Sequence, residues 1–365
     1  MTDRERFLAC ILGEPVDRPP YWLFWTPWAT AWRRWEQEGK PAELKTYGDV
    51  RAHFGAESPP AVLPINLGPC PAIERKVLEE TDEHVVFLDG WGIKRRDLKS
   101  GESMSEFIEF PVKSRADWQA FRDRWLDPDD KRRLAGDWRR CAAEWSAAGV
   151  PIQMGHFPDC AVYGSLRWML GDEECLLAFY DDPALVHEIM EHVTDIYVTV
   201  FEKVAAEVRV DVIHIWEDMC GRQGPLISPS MWEEFMGPCY RRIKAFADRR
   251  DIPVISVDTD GLPHDIIPPM MSAGVNYLFP QEVAAGCDVV EMQGLFPGLG
   301  MMGGIDKRAL AAGPVAIDAE LERLRPAVEA GRYVPDLDHL IPSDVSWESF
   351  CHYAEALKRL VGKEA

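Results

Sequence analysis

Most of the usual signposts of mechanism are missing from this 365-residue chain. There is no GxGxxG, no GxxxxGK(S/T), no HExxH and no GxSxG, so nucleotide-cofactor, zincin and serine-hydrolase readings have no local support. Nine cysteines contain no CxxC pair and are odd in number, which fits a reduced, cytoplasmic setting better than a disulfide framework. No window reaches the ~18 uninterrupted apolar residues of a spanning helix, and Met1-Thr2-Asp3-Arg4-Glu5-Arg6-Phe7 lacks the apolar stretch of a signal peptide. Positive charge is short too: 40 Lys and Arg stand against 61 Asp and Glu, a net −21, which disfavours nucleic acid or an anionic membrane as partner. The expectation is a soluble cytoplasmic protein of small-molecule chemistry.

What the chain does have is a repeated strand ending. Val210-Asp211-Val212-Ile213-His214-Ile215-Trp216-Glu217-Asp218, Val254-Ile255-Ser256-Val257-Asp258-Thr259-Asp260 and Tyr333-Val334-Pro335-Asp336-Leu337-Asp338-His339 each run apolar and close on acids or an imidazole. From residue 150 onward the pattern alternates: strands at 151–155, 210–216, 253–257, 275–279, 298–303 and 333–335, with helices at 175–207, 229–249, 266–273, 317–329 and 346–361 between and after them. Such alternation means a parallel sheet with crossover helices. A short helix at 4–12, turn chemistry at 13–20 and an aromatic first strand at 21–25 precede it. The count predicts an α/β fold, a closed (β/α)8 TIM barrel forming one domain over residues 1–365. Residues 27–145 read as an irregular elaboration over the mouth, with a Trp-rich helix at 28–38 and a hairpin at 85–94.

Candidate chemistry lies at the strand ends. Asp258 and Asp260, two apart, face one side; close carboxylates need a shared proton or a cation, so metal ligation or acid–base work is one reading, and a helix cap plus a solvated acid the other. His339 sits in an apolar frame; facing those acids it completes an N/O set for zinc or another divalent ion, for a metal-free cluster, or it is simply structural. Of Glu217 and Asp218 at most one faces the site without a bulge, and His214, in phase with Trp216, reads as packed inside the barrel. Glu282 is a further strand-end acid. Gly303 and Gly304 permit close backbone approach, Asp306 caps the next helix or touches ligand, and Trp22 and Trp25 line an apolar pocket or belong to the core.

Arg4-x-Arg6 with Gly13-Glu14-Pro15-Val16-Asp17-Arg18-Pro19-Pro20, Gly164-Ser165-Leu166-Arg167-Trp168-Met169-Leu170-Gly171, Asp181-Asp182-Pro183 and Gly303-Gly304-Ile305-Asp306-Lys307-Arg308 together resemble the uroporphyrinogen decarboxylase superfamily. The resemblance implies a (β/α)8 barrel, a homodimer, and one of two chemistries: decarboxylation of uroporphyrinogen, or methyl transfer between small molecules and corrinoid proteins. The decarboxylases' Arg-Gln-Ala-Gly-Arg signature is absent; the region reads Trp25-Thr26-Pro27-Trp28-Ala29-Thr30-Ala31-Trp32-Arg33-Arg34. An eight-carboxylate substrate needs several charge-assisted pairs, and this mouth offers tryptophans. The methyltransferase branch binds zinc through His-x-Cys and a later Cys; here the positions read Asp258-x-Asp260 and, near the end, His339. No thiolate is available, which leaves a harder ligand set suited to an oxygen or nitrogen leaving group.

The expectation is therefore a methyltransferase moving a methyl group from a small methoxylated or methylated compound to a corrinoid (cobalamin) protein. In that scheme Asp258, Asp260 and His339 bind a divalent metal, zinc first, or act as acid–base groups; Glu217 and Glu282 assist; Trp22, Trp25, Gly303, Gly304 and Asp306 contact the bound molecule. The alternatives are a decarboxylase acting on uroporphyrinogen or another carboxylate of tetrapyrrole metabolism, and a non-catalytic barrel that binds a corrinoid or tetrapyrrole.

Overall fold

Thr2 opens the first helix, Asp3–Leu12, as a capping box with Glu5, and Gly13 ends it in the left-handed conformation at φ 70°. Its buried face, Phe7, Cys10 and Ile11, plugs one end of a curled parallel sheet in the computed structural model, which describes residues 1–101 and 103–363. The strands in chain order are β1 (Ala61–Val62), β2 (Lys76–Glu80), β3 (His84–Leu88), β4 (Lys94–Leu98), β5 (Glu106–Glu109), β6 (Ile152–Met154), β7 (Val212–Trp216), β8 (Cys220–Gly221), β9 (Gly224–Pro225), β10 (Val254–Asp258), β11 (Tyr277–Phe279), β12 (Gly300–Ile305) and β13 (Tyr333–Leu337).

Seven of them form the main sheet in the order β1-β6-β7-β10-β11-β12-β13, every pair parallel. Alternate residues point to opposite sides. Ile213, Ile215, Ile255, Val257, Leu278 and Met301 join the large apolar cluster shared with the helices. Val212, Val254, Tyr277, Phe279, Met302 and Val334 meet Phe7, Cys10, Ile11 and Trp22 inside the curl. Each fully buried aliphatic or Phe side chain in these layers contributes about 1.5–3 kcal/mol.

The expected closed eight-stranded barrel with a first strand at 21–25 is corrected in one respect: those residues add no strand to the sheet. Leu23 turns left-handed at φ 52°, which breaks an extended run. The Phe24 N–H bonds to the Asp336 carboxylate at 2.8 Å, where a ladder would have supplied a main-chain carbonyl. Just after the segment, Pro27 makes an isolated parallel bridge with Ile341, beyond the end of β13.

Other boundaries shift for local reasons. The helix expected at 175–207 is two, Asp172–Asp181 and Pro183–Ala205, because Asp182 caps the second and Pro183 occupies its first turn. The helix expected at 229–249 contains a π-helical stretch, Trp232–Met236, directly before Pro238, which has no N–H to give to Glu234. The hairpin read at 85–94 is β3 and β4, the centre of a four-stranded antiparallel sheet β2-β3-β4-β5. Its outer strand β2 is exposed along its whole length and carries no alternation to read. Among the described residues no helix is long and apolar enough to cross a membrane.

Candidate active site at the strand C-termini

Parallel strands deliver their C-terminal ends to one rim. There Trp216, Asp258 and Phe279 are ladder partners on β7, β10 and β11, so the Asp258 carboxyl emerges between two aromatic side chains on the same side of the sheet. One layer deeper His214 Nδ1 and Ser256 Oγ lie 2.9 Å apart, and the His214 ring stacks on Phe279 at 5.2 Å. Burial lowers the His214 pKa to about 3, which keeps it a neutral packing group, as its phase with Trp216 suggested.

Around Asp258 stand three more acids, each with its own basic partner. Arg167, from the helix Tyr163–Leu170, donates to Asp218 Oδ2 at 2.6 Å. His339 Nε2 lies 3.5 Å from Asp260 Oδ2, and Lys307 Nζ lies 3.8 Å from Glu282 Oε1. Glu282 also accepts the Gly261 N–H at 2.9 Å, which ties the loop after β10 to the end of β11. His339 in turn stacks on Trp25, with ring centroids 4.8 Å apart and planes 21° apart.

Asp258 is different: among the described residues no cation pairs with it. Burial first, then the charges of Asp260, Asp218 and Glu282, hold its carboxyl well above the usual range. Asp218 is also raised by burial, with Arg167 opposing. Asp338, beside them, is pushed up to about 6 by burial while its oxygens accept the N–H groups of Val283 and Lys307. The rim therefore holds one carboxyl without a basic partner, Asp258, among acids that each have one.

The structure brings Asp258, Asp260, Glu282, His339 and Trp25 together and places the other expected residues elsewhere. Glu217 turns away from the rim: fully buried, it accepts the N–H groups of Val162, Tyr163 and Gly164 and the Tyr240 hydroxyl, at 3.2, 2.8, 3.1 and 2.6 Å. It is the N-terminal cap of the helix that carries Arg167. Trp22 packs at the opposite end of the sheet, 5.4 Å from Phe7, and is 1% exposed. Gly303 and Gly304 serve packing: both have positive φ, and a Cβ on Gly304 would lie 2.3 Å from Val289. Asp306 caps the helix Lys307–Ala312 and pairs with Arg308. A tetrahedral zinc site needs donors converging at about 2.0–2.2 Å. Among the described residues no three His, Cys, Asp or Glu side chains are placed to hold one ion, so the expected set of Asp258, Asp260 and His339 does not fit zinc as arranged.

A groove of about 640 Å³ lined by Ile108, Phe110, Leu170 and Leu177 lies outside this rim and contains none of its acids. Arg167 stands in the sequence only within a family motif, and Asp218 only as the alternative to Glu217. Parity allowed one of Glu217 and Asp218 to face the site, and only the observed helix cap decides which.

With this geometry in place, similarity to known proteins can be stated. The sequence model described as uroporphyrinogen decarboxylase (URO-D) matches residues 169–360, more than half of the chain. The chain belongs to the uroporphyrinogen decarboxylase family. Its match takes in Asp218, Asp258, Asp260, Glu282, Lys307 and His339, and begins two residues after Arg167. Among solved structures, a methyltransferase from Methanosarcina mazei matches with a TM-score of 0.61 and 17% identity over 98% of this chain and 99% of that one. That likeness is one of fold. A B12-independent methionine synthase from Shewanella sp. W3-18-1 matches more distantly, with a TM-score of 0.40 and 11% identity over 79% of this chain and 73% of that one. No curated protein matches the chain.

Proposed function

We propose that this family member transfers a methyl group from a small methylated or methoxylated compound to a corrinoid carried by a partner protein. The observation that carries the reading is Asp258, a carboxyl placed between Trp216 and Phe279 with no cation of its own among the described residues and raised well above the usual range by burial and the neighbouring acids. When methyl is displaced, the carbon–oxygen or carbon–nitrogen bond breaks and its electron pair stays on the heteroatom, while the attacking nucleophile of the acceptor forms the new bond to carbon. The heteroatom then needs a proton, and a neutral carboxylic acid at the rim supplies it. The neighbouring Asp260, Asp218 and Glu282 disfavour ionisation of Asp258, which discourages it from giving up its proton to water before the donor is bound. The aromatic faces of Trp25, Trp216 and Phe279 suit the apolar part of a methylated donor.

The same acidic pattern argues against uroporphyrinogen: its carboxylates would meet Asp218, Asp260 and Glu282 around Asp258, and the arginine signature that would hold them is absent. The reading is tested by incubating the purified protein with O- and N-methyl compounds and reduced cobalamin. Loss of the reduced-corrinoid absorbance together with appearance of the demethylated donor is expected. Absence of transfer to any corrinoid, free or protein-bound, combined with conversion of uroporphyrinogen to coproporphyrinogen, would overturn it.

A further inference from the structure

The helix Asp172–Asp181 buries Cys175 and Phe179 and turns another face outward. Residues three, four and seven positions apart share one side of a helix, which puts Glu174, Leu177, Ala178 and Asp181 in line. That line is one wall of the groove of about 640 Å³, and Ile108 and Phe110, at the end of β5, belong to the other. Leu177 is 46% exposed and Ile108 38%, so two large apolar side chains meet water in the groove. Of the four carboxylates in its lining two are already engaged: Glu109 with Lys113, and Asp182 with Arg115 at 3.0 Å. Glu174 and Asp181 have no basic partner among the described residues, and seven helical steps set them about 10.5 Å apart. An apolar strip therefore runs between two free acids.

We propose that this groove is a docking site for a basic amphipathic helix of a partner protein, one with cations seven residues apart and apolar residues three and four positions after the first. Such a helix lays its apolar residues on Leu177, Ile108 and Phe110 and its cations on Glu174 and Asp181, a complement in both pattern and charge. A second copy of the chain fits poorly, because an isologous contact sets the same free acids against each other in a protein of net charge −21. Phe110 stacks on Phe107 at 6.1 Å, Phe107 meets Trp168 at 5.3 Å and Trp168 stacks on Trp216 at 5.2 Å. The occupant is thus joined to the rim by side-chain contact, while the groove itself holds none of the rim's acids. Binding here does not depend on the methyl-transfer reading.

The experiment titrates the full chain into a fluorescein-labelled synthetic helix of about 15 residues, with lysines seven apart and leucines three and four positions after the first lysine. Anisotropy is read at about 0.1 M salt, where exposed charges more than about 10 Å apart are screened from each other. Saturable binding of this peptide, and none of a scrambled peptide of the same composition, is expected. Leu177→Gln, at an exposed position, weakens binding on the order of 10-fold by removing an apolar contact. Glu174→Gln combined with Asp181→Asn weakens it about 3–10-fold, as two exposed ion pairs allow. Glu43→Gln combined with Glu329→Gln removes the same charge from exposed acids outside the groove and leaves binding within about 2-fold. Equal weakening by the two charge pairs, equal binding of the scrambled peptide, or no saturable binding overturns the proposal. Sedimentation of the chain alone adds a second arm: a dimer that Leu177→Gln dissociates means that a second copy covers the groove and overturns it, and an assembly state that Leu177→Gln leaves unchanged supports it.

Discussion

Replacing Asp258 with Asn separates function from stability, because the two effects run in opposite directions. The amide keeps the size of the side chain between Trp216 and Phe279 and cannot give a proton. Loss of a positioned general acid costs about 10²–10⁴ in rate, or roughly 3–5 kcal/mol of transition-state free energy. Stability moves the other way. The folded pKa of Asp258 is raised above its unfolded value by burial and by Asp260, Asp218 and Glu282. Its contribution to stability is therefore complete below the unfolded carboxylate pKa and is lost as pH rises through the folded one. Each unit of elevation is worth ~1.36 kcal/mol, so at pH 8 the Asn variant is more stable than the parent, while near pH 3 the two are alike. Two assays decide: donor demethylation across pH 5–9, and thermal or denaturant unfolding across the same range. The parent's rate should fall with rising pH through the Asp258 pKa, and the variant's residual rate should be flat. An Asn variant with parental turnover, or one less stable than the parent at pH 8, would refute the reasoning.

Two further outcomes follow from buried polar groups. Burial lifts Glu217 from 4.5 to about 7 against its four hydrogen bonds, so its contribution is full below about pH 4.5 and is lost as pH rises through 7, a change of about 3 kcal/mol. Glu217→Gln, lacking one acceptor oxygen, should be less stable at pH 5 by about 1–3 kcal/mol, with the gap closing by pH 8 in denaturant titrations; a gap that widens would contradict this cap. Arg133, 1% exposed, donates to the carbonyl oxygens of Gly68 and Asp127 at 2.7 Å and of Trp125 at 3.3 Å. Arg133→Met should cost at least about 3 kcal/mol by the same measurement, since buried carbonyls then lose charged donors, and a loss under 1 kcal/mol would show that water replaces it.

Much of the sheet could be read from the residues, because β7, β10 and β13 are apolar runs whose final acids mark the rim. The alternation also placed His214 inside the curl correctly. What could not be read depends on distant segments. The missing strand at 21–25 turns on one carboxylate, Asp336, reaching across from residue 24's amide. Glu217 and Asp218 are neighbours in a sequence that treats them alike; the difference is that one meets the amino end of the helix Tyr163–Leu170 and the other its Arg167. Trp22 and Trp25, three apart in one aromatic run, take different places: Trp22 is buried against Phe7, and Trp25 stacks on His339 at the rim. Asp258 was singled out for its spacing from Asp260, yet its distinguishing feature is a partner it lacks, and that is visible only when Arg167, His339 and Lys307 are seen attached to its neighbours.

The most direct test is the protonation state of the Asp258 carboxyl at pH 7, read from its ¹³C resonance in aspartate-labelled protein and assigned with Asp258→Asn. The account predicts a neutral acid that titrates well above the ordinary carboxylate range. A resonance already that of the anion at pH 5 would contradict it.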